Sequence, residues 1–187
     1  MTPTRSPGPA GLLVHRADLG DVAWQVLLRD GHVTRLLDDV GLPAAVPATP
    51  VLRAAALAPG VPAREAVARS SAVWVHLGGP APARPVTTAV PGHEVRDVVR
   101  LAGVRVTTPR RTARDLLALD PPDVARALVL RLVAEAGVDL AHVHADLTAA
   151  AARRGVRRAL ALLRDLRAGA GQASTGGCSA ALAPVMR

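Results

Sequence analysis

A mostly helical α+β protein is expected from three features of this 187-residue sequence. Its interior has to be built from Leu, Val and Ala, its helix starts carry cap-plus-proline signatures, and its few β-branched runs are short and bounded by Pro and Gly. Phe, Tyr and Ile are absent, and Trp24 and Trp74 are the only aromatic residues apart from histidine. With Ile and nearly all the aromatics that favour strands missing, an all-β sandwich or barrel is not expected. A small β element is expected around residues 86 to 107, and a helical C-terminal region ends near Ala168.

Along the chain, residues 1–17 hold a Pro- and Gly-rich start that is expected to be disordered. Asp21 to Leu28 has helical patterning, with Asp18 or Asp21 as cap and Val22, Val26 and Trp24 as candidates for its inner face, and it stops at Arg29-Asp30-Gly31. Val33 to Val40 fits a short helix or a strand, and the segment from Gly41 to Pro47 fits a loop or a wing-like excursion. Thr49-Pro50 places a side-chain acceptor at the cap and Pro at the first helical position, predicting a helix over Val51 to Ala58. Pro62 opens another, expected to reach His76 and end at Gly78-Gly79.

Three short candidate strands follow, at Val86 to Val90, Val95 to Leu101 and Val104 to Thr107. Thr108-Pro109 repeats the cap signature and starts a helix through Leu119, with Ala113, Leu116 and Leu117 on one face. In the helix after Pro121-Pro122, the buried stripe is expected at Val124, Leu128, Leu132 and Ala136. Asp139 caps the next, with Leu140, Val143, Leu147 and Ala151 inward, and a last helix after Gly155 turns Val156, Leu160 and Leu163 inward. The expected division is 1–17, a winged-helix-like 18–79, an α+β region 80–168 and a flexible tail 169–187.

All 23 basic residues are Arg, and the net charge is +8. The excess lies late: residues 101–167 carry 12 Arg against 7 acids, whereas residues 1–100 carry 10 against 8. Such a balance points to a polyanionic partner, although an arginine-biased composition also produces it. Within residues 153–167, Arg153, Arg154, Arg157, Arg158, Arg164 and Arg167 face only Asp165. This run reads either as a stripe along a phosphate backbone or as a solvated helix face. Arg29 and Arg35, flanking the first helix and its turn, are the other candidate DNA contacts.

No chemistry-bearing motif competes with these. His142 and His144 are two apart on a helix and point about 200° apart, so they cannot share an ion. His15, His32, His76 and His93 lack ligand spacing, and Cys178 has no Cys partner, so neither a structural metal nor an internal disulfide is expected. Ser70-Ser71 lacks an elbow motif, Asp38-Asp39 reads as solvated, and Asp115 lies one turn from Arg111 as an ion-pair partner. A hydrolase using one of the histidines with Ser70 or Ser71 is the weakest reading. With no phosphate loop and no long apolar run, the expectation is a cytoplasmic, cofactor-free protein that is not an enzyme.

The segment Gly103-Val-Arg-Val-Thr-Thr-Pro-Arg-Arg-Thr-Ala-Arg-Asp-Leu-Leu117 resembles the strand-to-helix signature of the AbiEi-family antitoxins of type IV toxin-antitoxin systems and their actinobacterial relatives. The pattern Ser/Thr-Pro-x-Arg-small-x-x-Asp-Leu falls on Thr108, Pro109, Arg111, Thr112, Asp115 and Leu116. Its role is structural: Thr108 caps, Pro109 starts the helix, and Arg111 with Asp115 clasps one turn. Leu27 to Val33 is similar to the last helix and wing approach of the family's winged helix-turn-helix. Ala68 to Gly79 is similar to the helix entering the central domain, and Arg154-Gly-Val-Arg-Arg158 to the basic turn after the helical region.

The resemblance implies a transcriptional autorepressor that binds its own double-stranded operator DNA. It further implies opposition to a nucleotidyltransferase toxin without a stable complex. Only about ten helical residues are evident before Arg29, which makes the expected N-terminal region a reduced winged helix. Some relatives continue into a very-short-patch-repair-like nuclease domain. The corresponding place here holds Gly171 to Cys178 without the Glu-x-Lys metal-binding part, so the alternative reading is a non-catalytic nuclease relative serving as a protein-interaction module.

Overall fold

The computed structural model describes residues 9–90, 96–150, 152 and 154–175. It is a mixed α+β architecture with eight α-helices and two small sheets among the described residues, its C-terminal third helical.

The chain enters through a 3-10 turn, Pro9–Leu12, and a short strand β1, Val14–His15, where disorder was expected. Helix α1 is Arg16–Leu19, and Gly20 at φ 75° turns the chain into α2, Asp21–Arg29. A hairpin follows, β2 at Val33–Leu37 and β3 at Val40–Pro43, resolving the helix-or-strand alternative in favour of strands. β1 pairs antiparallel with β3, giving the order β1-β3-β2. In this N-terminal part the order is thus strand, one-turn helix, turn, helix and returning hairpin.

Helix α3, Pro50–Leu57, starts as expected, with Thr49 Oγ1 accepting from the Leu52 amide at 3.3 Å. The helix expected from Pro62 begins later. Glu65–Val67 is a strand, β4, and only then does α4, Arg69–Leu77, begin, across Arg69 in the left-handed region at φ 49°. β4 sits inside a sheet of order β5-β4-β7-β6, with β5 at Thr87–Ala89, β6 at Val98–Leu101 and β7 at Val104–Thr107. Its parallel neighbour is β7, through Val67 opposite Val106, and its antiparallel neighbour is β5. Local composition in Arg64-Glu-Ala-Val-Ala68 favours helix, and non-local pairing with two Val- and Thr-rich strands overrides it.

Helices α5 (Pro109–Leu119), α6 (Pro122–Ala136), α7 (Leu140–Ala149) and α8 (Val156–Thr175) complete the chain, so the tail expected from Gly169 is helical to Thr175. The inward face of α6 is Ala125, Val129 and Leu132, with Val124 exposed and Leu128 only partly buried, one position round from the expected stripe. In α7 and α8 the buried residues are Val143, Leu147, Val156, Ala159, Leu163 and Leu166, with Leu140 and Leu160 at the margin; Ala151 lies outside the described residues.

Two apolar cores meet at α4. Val73 joins the core of α5 to α8, while Ala72, Trp74 and Val75 join the core of β2, β3, α3, β4 and β7. Arg53 of α3 fastens the second core to the end of α4. Its buried guanidinium donates to the carbonyls of Val75 at 2.9 Å, His76 at 3.2 Å and Ala48. Burial lowers its pKa, and a cation there also meets the negative end of the α4 dipole.

Candidate nucleic-acid interface

The orientation of α2 is set by one residue. Trp24 is fully buried, packed where a Cβ on Gly41 would come within 3.0 Å of its ring. Fixing Trp24 inward turns Val22, Gln25, Val26 and Arg29 to solvent, at the i, i+3, i+4, i+7 positions of one face. Val22 is 80% exposed and Val26 38%, so the expectation that these two valines face the core is overturned. With Asp21 they line one continuous surface cleft.

Neither Asp18 nor Asp21 caps α2; its N-cap is Gly20, with no side-chain bond. Asp21 instead accepts from Arg16 Nε at 2.8 Å, and Arg16 Nη1 reaches Asp39 at 3.1 Å in the β2–β3 turn. These hydrogen bonds raise the pKa of Arg16, and that from Arg16 lowers the pKa of Asp21. Arg29 is exposed, its Nε engaged by Asp30 at 2.9 Å and its other nitrogens open. Arg35 is exposed on β2. Over residues 16–43 the charge is three arginines against five aspartates, so this segment is itself acidic.

In the late basic run the structure separates roles. Arg154, Arg157, Arg164 and Arg167 are exposed, and Arg153 lies outside the described residues. Arg158 is exposed as well, and its Nη2 donates to the carbonyl of Asp120 at the C-terminal end of α5, a helix-capping contact. Gly155, at φ 82°, packs so closely on Ala118 that a Cβ would overlap that carbonyl. The turn Arg154-Gly-Val-Arg-Arg158 is thus a clamp on the end of α5.

The Thr108–Asp115 motif has the geometry expected of it. Thr108 Oγ1 accepts from the Arg111 amide at 3.2 Å, Pro109 occupies the first turn, and Arg111 Nε donates to Asp115 at 2.7 Å. Arg111 also reaches Asp97 at 3.2 Å, and Arg114 bridges Asp97 and Asp115. Thr112 meets the Thr107 hydroxyl at 2.7 Å, tying α5 to β7.

Other sequence candidates are structural here. Ser71 is buried and accepts from the Val86 amide at 2.9 Å, joining α4 to the approach to β5. His76 Nε2 meets the Thr107 carbonyl at 2.8 Å. His142 pairs with Asp139 at 3.1 Å, and Asp139 caps α7 as expected. His93 and Cys178 lie outside the described residues. Among the described residues no three His, Cys, Asp or Glu side chains are grouped to hold a metal ion, and no helix is long and apolar enough to cross a membrane.

The architecture is thus a mixed α+β fold in which a three-stranded sheet with two short helices and a C-terminal helical region are joined through a four-stranded sheet. No family model matches the chain, and neither a curated protein nor a solved structure matches it. Sequence reasoning missed Val22, Gln25 and Val26 as surface residues. The signal that finds them is the single large aromatic of α2, because one buried Trp fixes which face of a short helix is inside.

Proposed function

We propose that this chain is a cytoplasmic DNA-binding antitoxin, a transcriptional autorepressor that reads its own operator with α2. The observation that carries the reading is the order β1-β3-β2 with α1, Gly20 and α2 set before the wing, leaving one face of α2 open. In the major groove, Gln25 has the amide geometry for adenine, Val22 and Val26 offer methyl groups to thymine, and Arg29 reaches guanine or phosphate. Arg35 on the wing contacts the backbone. The acidic balance of this unit leaves sequence-independent affinity to the late basic run, Arg153, Arg154, Arg157, Arg158, Arg164 and Arg167 in the sequence. The Thr108–Asp115 motif supports kinship with the AbiEi antitoxins, and with it a functional link to a nucleotidyltransferase toxin without a stable complex.

Fluorescence anisotropy of the purified chain against its own promoter fragment and a scrambled duplex, at two salt concentrations, tests this. Preferential binding to the promoter is expected, lost in Q25A/R29A. In R154A/R157A the salt slope should flatten by about 0.9 per phosphate contact removed. Equal or absent binding to both duplexes overturns the reading. That outcome would favour a protein-interaction module, which is supported by the apolar stripe Leu19, Val22 and Val26 and by the carboxylates that occupy Arg16 and Arg29.

A further inference from the structure

The exposed face of α2 is complementary to itself. At about 100° per residue, Val22 and Arg29 lie on one line along the helix, with Gln25 on one side of that line and Val26 on the other. The middle of the face is apolar and open, Val22 being 80% exposed and Val26 38%. Its two ends carry opposite charge. Asp21 stands at the N-terminal end, on the Gln25 side, and Arg29 at the C-terminal end. Each is held inside the chain through one atom, Oδ1 of Asp21 accepting from Arg16 Nε and Arg29 Nε donating to Asp30. Among the described residues, Oδ2 of Asp21 and the terminal nitrogens of Arg29 have no hydrogen-bond partner.

We propose that in the free protein this face is covered by the α2 face of a second copy, the two helices antiparallel about a two-fold axis. Such a contact requires one patch to complement itself. Turning the second copy end over end meets the requirement here. Val26 falls beside the partner's Val26, and Gln25 beside the partner's Gln25, whose amide both donates and accepts. Arg29 crosses the partner's Val22 and turns its terminal nitrogens toward the partner's Asp21, and the two helix dipoles run in opposite directions. A duplex on the same face meets three arginines against five aspartates over residues 16–43, so in the absence of base contacts charge favours the second copy. The helix is about 13 Å long, and its face alone falls short of the roughly 1,200–2,000 Å² of a stable interface. The dimer is therefore reversible and concentration-dependent. On the reading of α2 as the DNA-reading helix, on which this step rests, dimerisation withholds that face until an operator displaces the second copy.

Sedimentation velocity of the full chain without DNA, from micromolar to millimolar concentration, tests the contact by itself. The sedimentation coefficient should rise with concentration toward that of a dimer. V26E sets two carboxylates against each other at the axis and should weaken association about tenfold or more. V22E should not, because its carboxylate meets the partner's Arg29, whereas a merely sticky patch would lose association in both. R29D should weaken association about fivefold, since symmetry removes each ion pair twice, and D21R/R29D, which exchanges the charges, should restore it, with circular dichroism unchanged throughout. Should D21R/R29D fail to fold for want of the Arg16 contact, the contrast between V22E and V26E decides. A wild type that stays monomeric, equal losses in V22E and V26E, or no recovery in a folded D21R/R29D overturns the proposal. Adding the promoter duplex then separates the two readings. Dissociation of the dimer as the duplex binds supports both, and a dimer that persists on bound duplex overturns the withholding step. A duplex that does not bind overturns the DNA reading alone, and the dimer keeps the support measured without it.

Discussion

Gly155 shows how much of this fold depends on individual backbone positions. It sits at φ 82° against the Ala118 carbonyl, and Arg158, three residues on, caps the same helix end at Asp120. An alanine there meets two penalties, about 1–2 kcal/mol for a left-handed non-glycine residue and about 1–3 kcal/mol for forcing the packed turn apart. G155A is therefore expected to lose about 3 kcal/mol in urea unfolding, and a loss under about 1 kcal/mol would mean that the turn is not clamped on α5. The sequence alone reads Arg154-Gly-Val-Arg-Arg158 as a charge cluster, because the carbonyls it covers lie more than thirty residues upstream. Arg53 is illegible for the same reason: its acceptors at Val75 and His76 are brought to it only by tertiary packing.

Elements with local causes were legible. Thr49, Thr108 and Asp139 act as caps where the sequence places them, since a cap is a contact two or three residues long. The faces of α2 and α6 were not, because alternating apolar positions in Ala- and Val-rich helices fit more than one stripe, and only Trp24 or the neighbouring helices choose among them. Strand β4 was hidden in a helical composition. The join of α4 to β7 carries a pH dependence. His76 is partly buried, and burial first, then the nearby Arg53 charge, lowers its pKa, against an opposing contribution from the Thr107 hydrogen bond. The folded chain therefore holds His76 neutral, with Nε2 donating to Thr107, while the unfolded chain takes up a proton near pH 6.5. Stability contributed this way is present above about pH 6.5 and is lost as pH falls from there through the lowered folded value. Urea unfolding across that range should show the decline, and H76Q should flatten it. An equal slope in the variant would assign the decline to other groups.

At the scale of the whole molecule, the N-terminal part with its three-stranded sheet and the helical region share elements across residue 80. The four-stranded sheet takes β4 from before that point and β5, β6 and β7 from after it. Helix α4 then gives Val73 to one core and Trp74 and Val75 to the other. A shared helix and a shared sheet couple the two cores, because unfolding either one exposes apolar residues held by the other. The prediction is a single cooperative transition. In W74F the only remaining indole is Trp24, buried between α2 and the β2–β3 hairpin, so its fluorescence reports the N-terminal unit while far-ultraviolet circular dichroism reports chiefly the C-terminal helices. Both signals from one sample should give the same urea midpoint and slope. If the Trp24 transition comes first, α2 with the β2–β3 hairpin opens on its own while α5 to α8 stay folded, and α4 does not couple the cores. In that case the DNA surface proposed on α2 would have to order on binding, and the affinity proposed for it would be reduced by the free energy of that ordering.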